Sequence, residues 1–198
     1  MGKRTPVLMK LQSVITVMGV DAGLASTGVS IVTKVGNNRP QVLHTELIQT
    51  KQADKKQRNM LRGAVDDQRR YREIYTTLEN ISRVFSIQAV GLEAYHVYGA
   101  RAGNAWKTVA VFGGVIFWGF MKGMYVGVFT PADLKHTFCS KASASKMEVQ
   151  KALPVFIDGF DIRIREYAKG KQEHITDATG HAYLILQEVV NNRILLGL

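Results

Sequence analysis

Residues 14–20 and 28–34 are two apolar, β-branched runs separated by a short stretch that carries Gly23. Runs of this composition with a glycine-bearing turn between them predict a β-hairpin. A third strand is predicted over residues 41–49, after the turn cluster Gly36-Asn-Asn-Arg-Pro40. Residues 50–72 are dense in charge, and Ile74, Leu78, Ile81 and Phe85 then recur at helical spacing. The pattern predicts one long helix with a solvated first half and a second half packed on the sheet. Residues 88–93 form the next strand, 95–104 an aromatic, glycine-containing loop, and 106–122 a helix apolar nearly all round. Such a helix asks for cover on more than one side, by core and by a second subunit. A short strand follows at 125–129, ended by Thr130-Pro131. Ser145-Lys-Met-Glu148 has the spacing of a capping box and opens a helix to about Leu153, where Pro154 disturbs it. Residues 158–172 read as a charged connection and 173–191 as the last helix. This order predicts an α/β fold, a mixed five-stranded sheet flanked by helices. Residues 1–12 read as a basic arm and 13–198 as a single domain.

Charge narrows the partners. The chain has 198 residues, is 46% hydrophobic and carries a net charge of +10, which favours a polyanion: nucleic acid or an anionic membrane surface. The most apolar stretch, residues 109–121, is shorter than the roughly 20 residues that span a bilayer, so the membrane reading is poor. The single cysteine, Cys139, excludes an internal disulfide framework and a cysteine-based zinc site. No segment has the pattern of a secretory leader, and an intracellular, reducing compartment is expected. Lys51, Lys55, Lys56, Arg58, Arg62, Arg69, Arg70 and Arg72 read as a solvated helix face, with contact to a nucleic-acid backbone as the sharper alternative.

Candidate chemistry rests on four residues. Asp21 and Glu93 each end an apolar strand, and His174 and Asp177, three apart, share one face of the last helix. An oxygen-rich set of this kind suits Mg²⁺, with Mn²⁺ able to substitute. Phosphodiester hydrolysis by two divalent ions needs such carboxylates to hold them. Taken singly, an Asp after a strand is more often a turn residue, and His174 alone reads as a surface residue. Glu93, flanked by apolar strand residues, faces burial that is costly without a cation or partner. His181, four residues after Asp177, reads more readily as a satisfied packing histidine than as a partner of the acids.

The motifs themselves carry a resemblance. Val17-Met-Gly-Val-Asp21-Ala-Gly-Leu-Ala-Ser-Thr-Gly28 resembles the opening motif of the RuvC family of Holliday-junction resolvases. Val90-Gly-Leu-Glu93 resembles the family's second acidic strand. Pro131-Ala-Asp-Leu-Lys135 and Ala144-Ser-Lys146-Met-Glu-Val-Gln150 resemble its two lysine-bearing DNA-contact segments, and His174-Ile-Thr-Asp177-Ala178 its final motif. The resemblance implies an RNase H-like fold, a homodimer, and metal-dependent, symmetric nicking of four-way DNA junctions. It implies Asp21, Glu93, His174 and Asp177 as the catalytic and metal-holding set, and Lys135 and Lys146 as the basic positions near the scissile phosphate. Lys146 in the first turn of a capped helix also makes physical sense, because that terminus attracts phosphate. Where the family places an aromatic after its second acid, this chain has Tyr95, His96 and Tyr98, one of them expected to stack on an unpaired base. Arg101 and Lys107 flank that loop as candidate phosphate contacts.

Alternative functions stay open at this point. A ribonuclease H-type or broader branched-DNA nuclease shares the fold, and a catalytically idle nucleic-acid-binding protein shares the charge. Asp21-x-Gly23…Thr27-Gly28 also passes for the first phosphate loop of an actin-like ATPase, although 198 residues leave no room for that fold's duplication.

Overall fold

The computed structural model describes residues 13–95 and 102–196. A single mixed sheet runs through it, built from β1 (Val14–Asp21), β2 (Ser26–Val35), β3 (Gln41–Gln49), β4 (Ala89–Glu93) and β5 (Tyr125–Phe129). The strand order is β3-β2-β1-β4-β5. The hairpin partners β1, β2 and β3 are antiparallel, while β4 and β5 run parallel to β1. The predicted five-stranded α/β sheet is the one observed.

Two layers of helix cover the sheet. On one face lie α1 (Lys55–Val84) and α2 (Ala102–Met121). Ile74, Leu78 and Ile81 of α1 and Val111 and Val115 of α2 bury against Met18, Val20, Ile31, Val90 and Leu92. On the other face lie α3 (Pro131–Cys139), α4 (Lys146–Phe156), the short α5 (Phe160–Arg163) and α6 (Gln172–Leu196). These close over Ile15, Val17, Val32, Val42 and Ala89. Alternation along β1 therefore sends Met18 and Val20 to one core and Ile15 and Val17 to the other, as the two-residue period of a strand requires. Asp21 shares the parity of Val17, and Glu93 that of Ala89, so both carboxylates leave the sheet on the α6 side.

Several expectations need correction. Thr130-Pro131 marks the end of a strand and residues 131–135 a DNA-contact segment, and the pattern predicts no helix at α3. Thr130 in fact caps it: its hydroxyl accepts from the Asp133 N–H, and the Asp133 carboxylate accepts from the Thr130 N–H, with Pro131 in the first turn. α4 runs past Pro154 to Phe156, because a proline eight residues in removes only one helical hydrogen bond. The connection over 158–172 contains α5 and two 3₁₀ turns, with Phe160 and Ile164 buried in the core. The start of α1 is not uniformly solvated either. Asp66, Asp67 and Arg70 are buried there, and Arg70 donates to the Thr50 hydroxyl and pairs with Asp67 at 3.6 Å. Arg70 is thus internal rather than part of a free basic face; the side chains of Lys55, Lys56, Arg58 and Arg62 lie outside the described residues, as does the arm over 1–12. Among the described residues no helix is long and apolar enough to cross a membrane.

Candidate active site

β1 and β4 are adjacent and parallel, with Gly19 opposite Gly91 and Val20 opposite Leu92. One residue further on, Asp21 and Glu93 emerge side by side at the strand ends. α6 brings the other two residues in because it lies directly on the sheet. A Cβ on Gly19 would sit 1.9 Å from the Ala178 carbonyl oxygen, and one on Gly91 would sit 2.4 Å from that of His181. Gly28 on β2 meets the His174 carbonyl in the same way. The strands thus form a side-chain-free groove that seats α6 and sets His174 over Asp21.

The His174 Nδ1–H donates to Asp21 Oδ2 at 2.6 Å. That bond raises the His174 pKa above its usual value, with burial opposing and the Asp21, Glu173 and Asp177 charges assisting. Asp177 is pushed up to about 6, chiefly by burial and further by the charges of Asp21 and Glu93, while Lys146 and His181 pull the other way. The Lys146 ammonium lies 3.4 Å from Asp177 and 3.2 Å from Glu173. Glu93 Oε2 lies 3.7 Å from His181 Nε2. The four predicted residues therefore converge on one end of the sheet, but each carboxylate has turned to a different neighbour: Asp21 to His174, Asp177 to Lys146, Glu93 towards His181. Among the described residues no three such donors already form a ligand group for a metal ion. The charges of Asp21 and Glu93 both disfavour ionised Asp177, a repulsion that a divalent cation would relieve.

Two hollows meet at Glu93. An open cleft of about 450 Å³ is lined by Asp21, Glu93, Tyr95, Thr108, Phe112 and Pro131. A smaller cavity of about 70 Å³ lies behind it, bordered by Glu93, Lys135, Lys146, Asp177 and His181. Both predicted lysines thus reach the acidic cluster. Lys146 is presented by the first turn of α4, where Ser145 accepts from the Glu148 N–H and Glu148 accepts back from Ser145. Lys141, together with the Ser145 groups, holds the Glu148 carboxyl down at about 2, so the cap stays ionised and intact.

Of the candidate DNA contacts, Tyr95 stands on the cleft wall. Lys107, a candidate phosphate contact, has an acidic partner within the chain. Its ammonium lies 2.9 Å from the buried Asp67 carboxylate, which needs a cationic partner once it is out of water. His96, Tyr98 and Arg101 lie outside the described residues. Sequence reasoning missed Glu173, the second anchor of Lys146, and Thr108 and Phe112 of the cleft. Glu173 had a signal, since it sits in the first turn of α6 where acidic residues are favoured.

Comparison with known proteins adds three findings. The family description "Crossover junction endodeoxyribonuclease RuvC" matches residues 17–158. That span contains Asp21, Glu93, Lys135 and Lys146 and stops short of His174 and Asp177. No curated protein matches the chain by sequence. Among solved structures, Thermus thermophilus RuvC superposes with a TM-score of 0.65 at 21% identity, covering 85% of this chain and 91% of that one. T. thermophilus RuvC in complex with Holliday junction substrate gives 0.64 at 22%, covering 85% and 90%. The yeast mitochondrial Holliday junction resolvase Ydc2 gives 0.57 at 8%, covering 84% and 75%. At these identities the likenesses establish a shared fold.

Proposed function

Because the chain belongs to the RuvC family of crossover junction endodeoxyribonucleases, we propose that Asp21, Glu93, His174 and Asp177 form the catalytic centre with which it cuts four-way DNA junctions. The protein is a metal-dependent, structure-selective endonuclease, a Holliday-junction resolvase. The observation that carries the assignment of residues is the convergence of those four side chains, from β1, β4 and α6, beside the Lys146 ammonium.

The donor set fits a hard divalent cation. Three carboxylates and an imidazole are oxygen-rich ligands, and Asp177 is held near pKa 6 by burial among like charges. Asp21, Glu93, His174 and Asp177 would hold Mg²⁺ or Mn²⁺, which supplies an activated water and offsets charge on the phosphate oxygens. The chain's own groups do the remaining work. Lys146 and Lys135 place positive charge beside the acids, where a scissile phosphate would otherwise be repelled. The His174 Nδ1–H, bonded to Asp21 Oδ2, holds that carboxylate at the strand end. Tyr95 offers a ring on the cleft wall for an unpaired base.

A homodimer completes the reading. Trp106, Val109, Gly113, Phe117 and Phe120 recur at helical spacing along the exposed side of α2, and Phe117 and Phe120 are 64% and 73% exposed. An apolar stripe of this kind marks an interface, and two-fold pairing would give two equivalent sites for opposing strands.

The test is a nicking assay on an immobile four-way junction, with linear duplex and RNA–DNA hybrid alongside. Wild type is expected to make paired nicks near the crossover with Mg²⁺ or Mn²⁺ and none in EDTA. Asp21→Asn should bind the junction with unchanged affinity and leave it uncut. Cleavage by Asp21→Asn at the wild-type rate would remove Asp21 from the centre.

A further inference from the structure

His181 lies one helical turn beyond Asp177 and is 1% exposed. Contrary to the expectation of a satisfied packing histidine, neither of its ring nitrogens has a hydrogen-bond partner. A buried polar group left in that condition is costly and calls for an explanation. Packing alone does not supply one, since Leu or Phe would fill the volume without the two nitrogens. The surroundings do. Phe129 lies nearly parallel to the imidazole, with ring centroids 6.5 Å apart and planes 9° apart. The backbone of His181 is pinned by the close approach to Gly91. Nε2 lies 3.7 Å from Glu93 Oε2.

Glu93 borders both the open cleft and the small inner cavity. One side of its carboxylate can therefore face the cleft while the other faces His181. The inner cavity has about 70 Å³, and beside the apolar Pro131, Leu134 and Val149 its lining includes Glu93, Lys135, Lys146, Asp177 and His181, room and partners enough for a water. We propose that His181 is a positioning residue for Glu93: its Nε2–H donates through one water in the inner cavity to the Glu93 carboxylate, and so fixes the orientation of the oxygen that faces the cleft. The inference rests on the reading of Glu93 as a metal ligand. Groups that orient a ligating carboxylate in this way typically change metal affinity or activity about ten- to a hundredfold when removed.

The test compares His181→Phe and His181→Gln with wild type and Glu93→Gln. Mn²⁺ binding to DNA-free protein is read by calorimetry, junction binding in EDTA by gel shift, and nicking by its rate. His181→Phe should bind the junction normally, yet bind Mn²⁺ and cut roughly ten- to a hundredfold more weakly. His181→Gln keeps an N–H donor and should recover most of both. Phe matching wild type, or Gln as impaired as Phe, overturns the proposal. Should the Phe variant fail to fold, His181→Asn takes its place: its shorter donor should lose the Mn²⁺ affinity that Gln keeps, and equal affinity in the two overturns the proposal. Glu93→Gln with wild-type Mn²⁺ affinity and cutting would instead overturn the reading of Glu93 itself.

Discussion

At Asp177, burial and the nearby charges of Asp21 and Glu93 all disfavour the ionised form, and Lys146 only partly offsets them. Its pKa of about 6 in the folded protein, against 3.8 ordinarily, has a thermodynamic consequence. Between about pH 4 and 6 the folded metal-free protein holds a proton that the unfolded chain has lost, so stability falls as pH rises through that window. At 1.36 kcal/mol per unit the full effect is about 3 kcal/mol. Asp177→Asn in EDTA should therefore melt several degrees above wild type at pH 7.5, and the gap should shrink at pH 4.5. Calorimetric scans at the two pH values check this; a variant no more stable than wild type at pH 7.5 would contradict it. Added Mn²⁺ should raise the wild-type Tm at pH 7.5 and leave the variant's unmoved. None of this was legible at the residue level in the sequence, where Asp177 is simply an Asp three positions after a His. The raised pKa comes first from burial under the folded chain and then from carboxylates 84 and 156 positions away in sequence.

The elements divide by how local their determinants are. β1, β3 and β5 begin and end where the apolar runs and turn residues place them. The capping box at Ser145 opened α4 as its spacing requires, while the equivalent signal at Thr130-Pro131-Ala-Asp133 was masked because the proline also ends a strand. The seat of α6 is set by glycines on strands it never neighbours in sequence. Gly19→Ala would press a methyl group into the Ala178 carbonyl and the Ala182 N–H. Backbone cannot rotate away as a side chain can, so α6 must lift. The expected loss is about 3 kcal/mol or more, the upper end for an overpacked core, read as a fall in the urea midpoint. His174 and Asp177 ride on that helix, so Mn²⁺ affinity should fall with it. A variant with wild-type stability would mean that α6 does not rest on Gly19.

At the scale of the assembly, the proposed dimer rests on the exposed outer face of α2. Its inner face is in the core through Val111 and Val115, and its outer stripe is bare. Phe117→Glu together with Phe120→Glu should leave the fold and its melting cooperative while abolishing the proposed dimer in sedimentation experiments. Paired nicks on a junction should become single and uncoordinated. A wild type that sediments as a monomer at micromolar concentration would refute the dimer. Binding should also weaken steeply with added salt, as expected for a basic protein on a phosphate backbone.

Local patterning sets the five strands, the long helices, the positions of Asp21 and Glu93 at strand ends, and the family motifs. Each of these is set by neighbours within a few residues: periodicity, caps, turns and local spacing. Folding in three dimensions sets which carboxylate faces which cation, that Lys107 and Arg70 are claimed by Asp67, and that His181 is buried beside Glu93. Those outcomes depend on parallel strands brought together through long crossovers and on one helix laid in a groove of glycines. Charge interactions at 3–4 Å then follow from distances in space, which spacing along the chain does not encode.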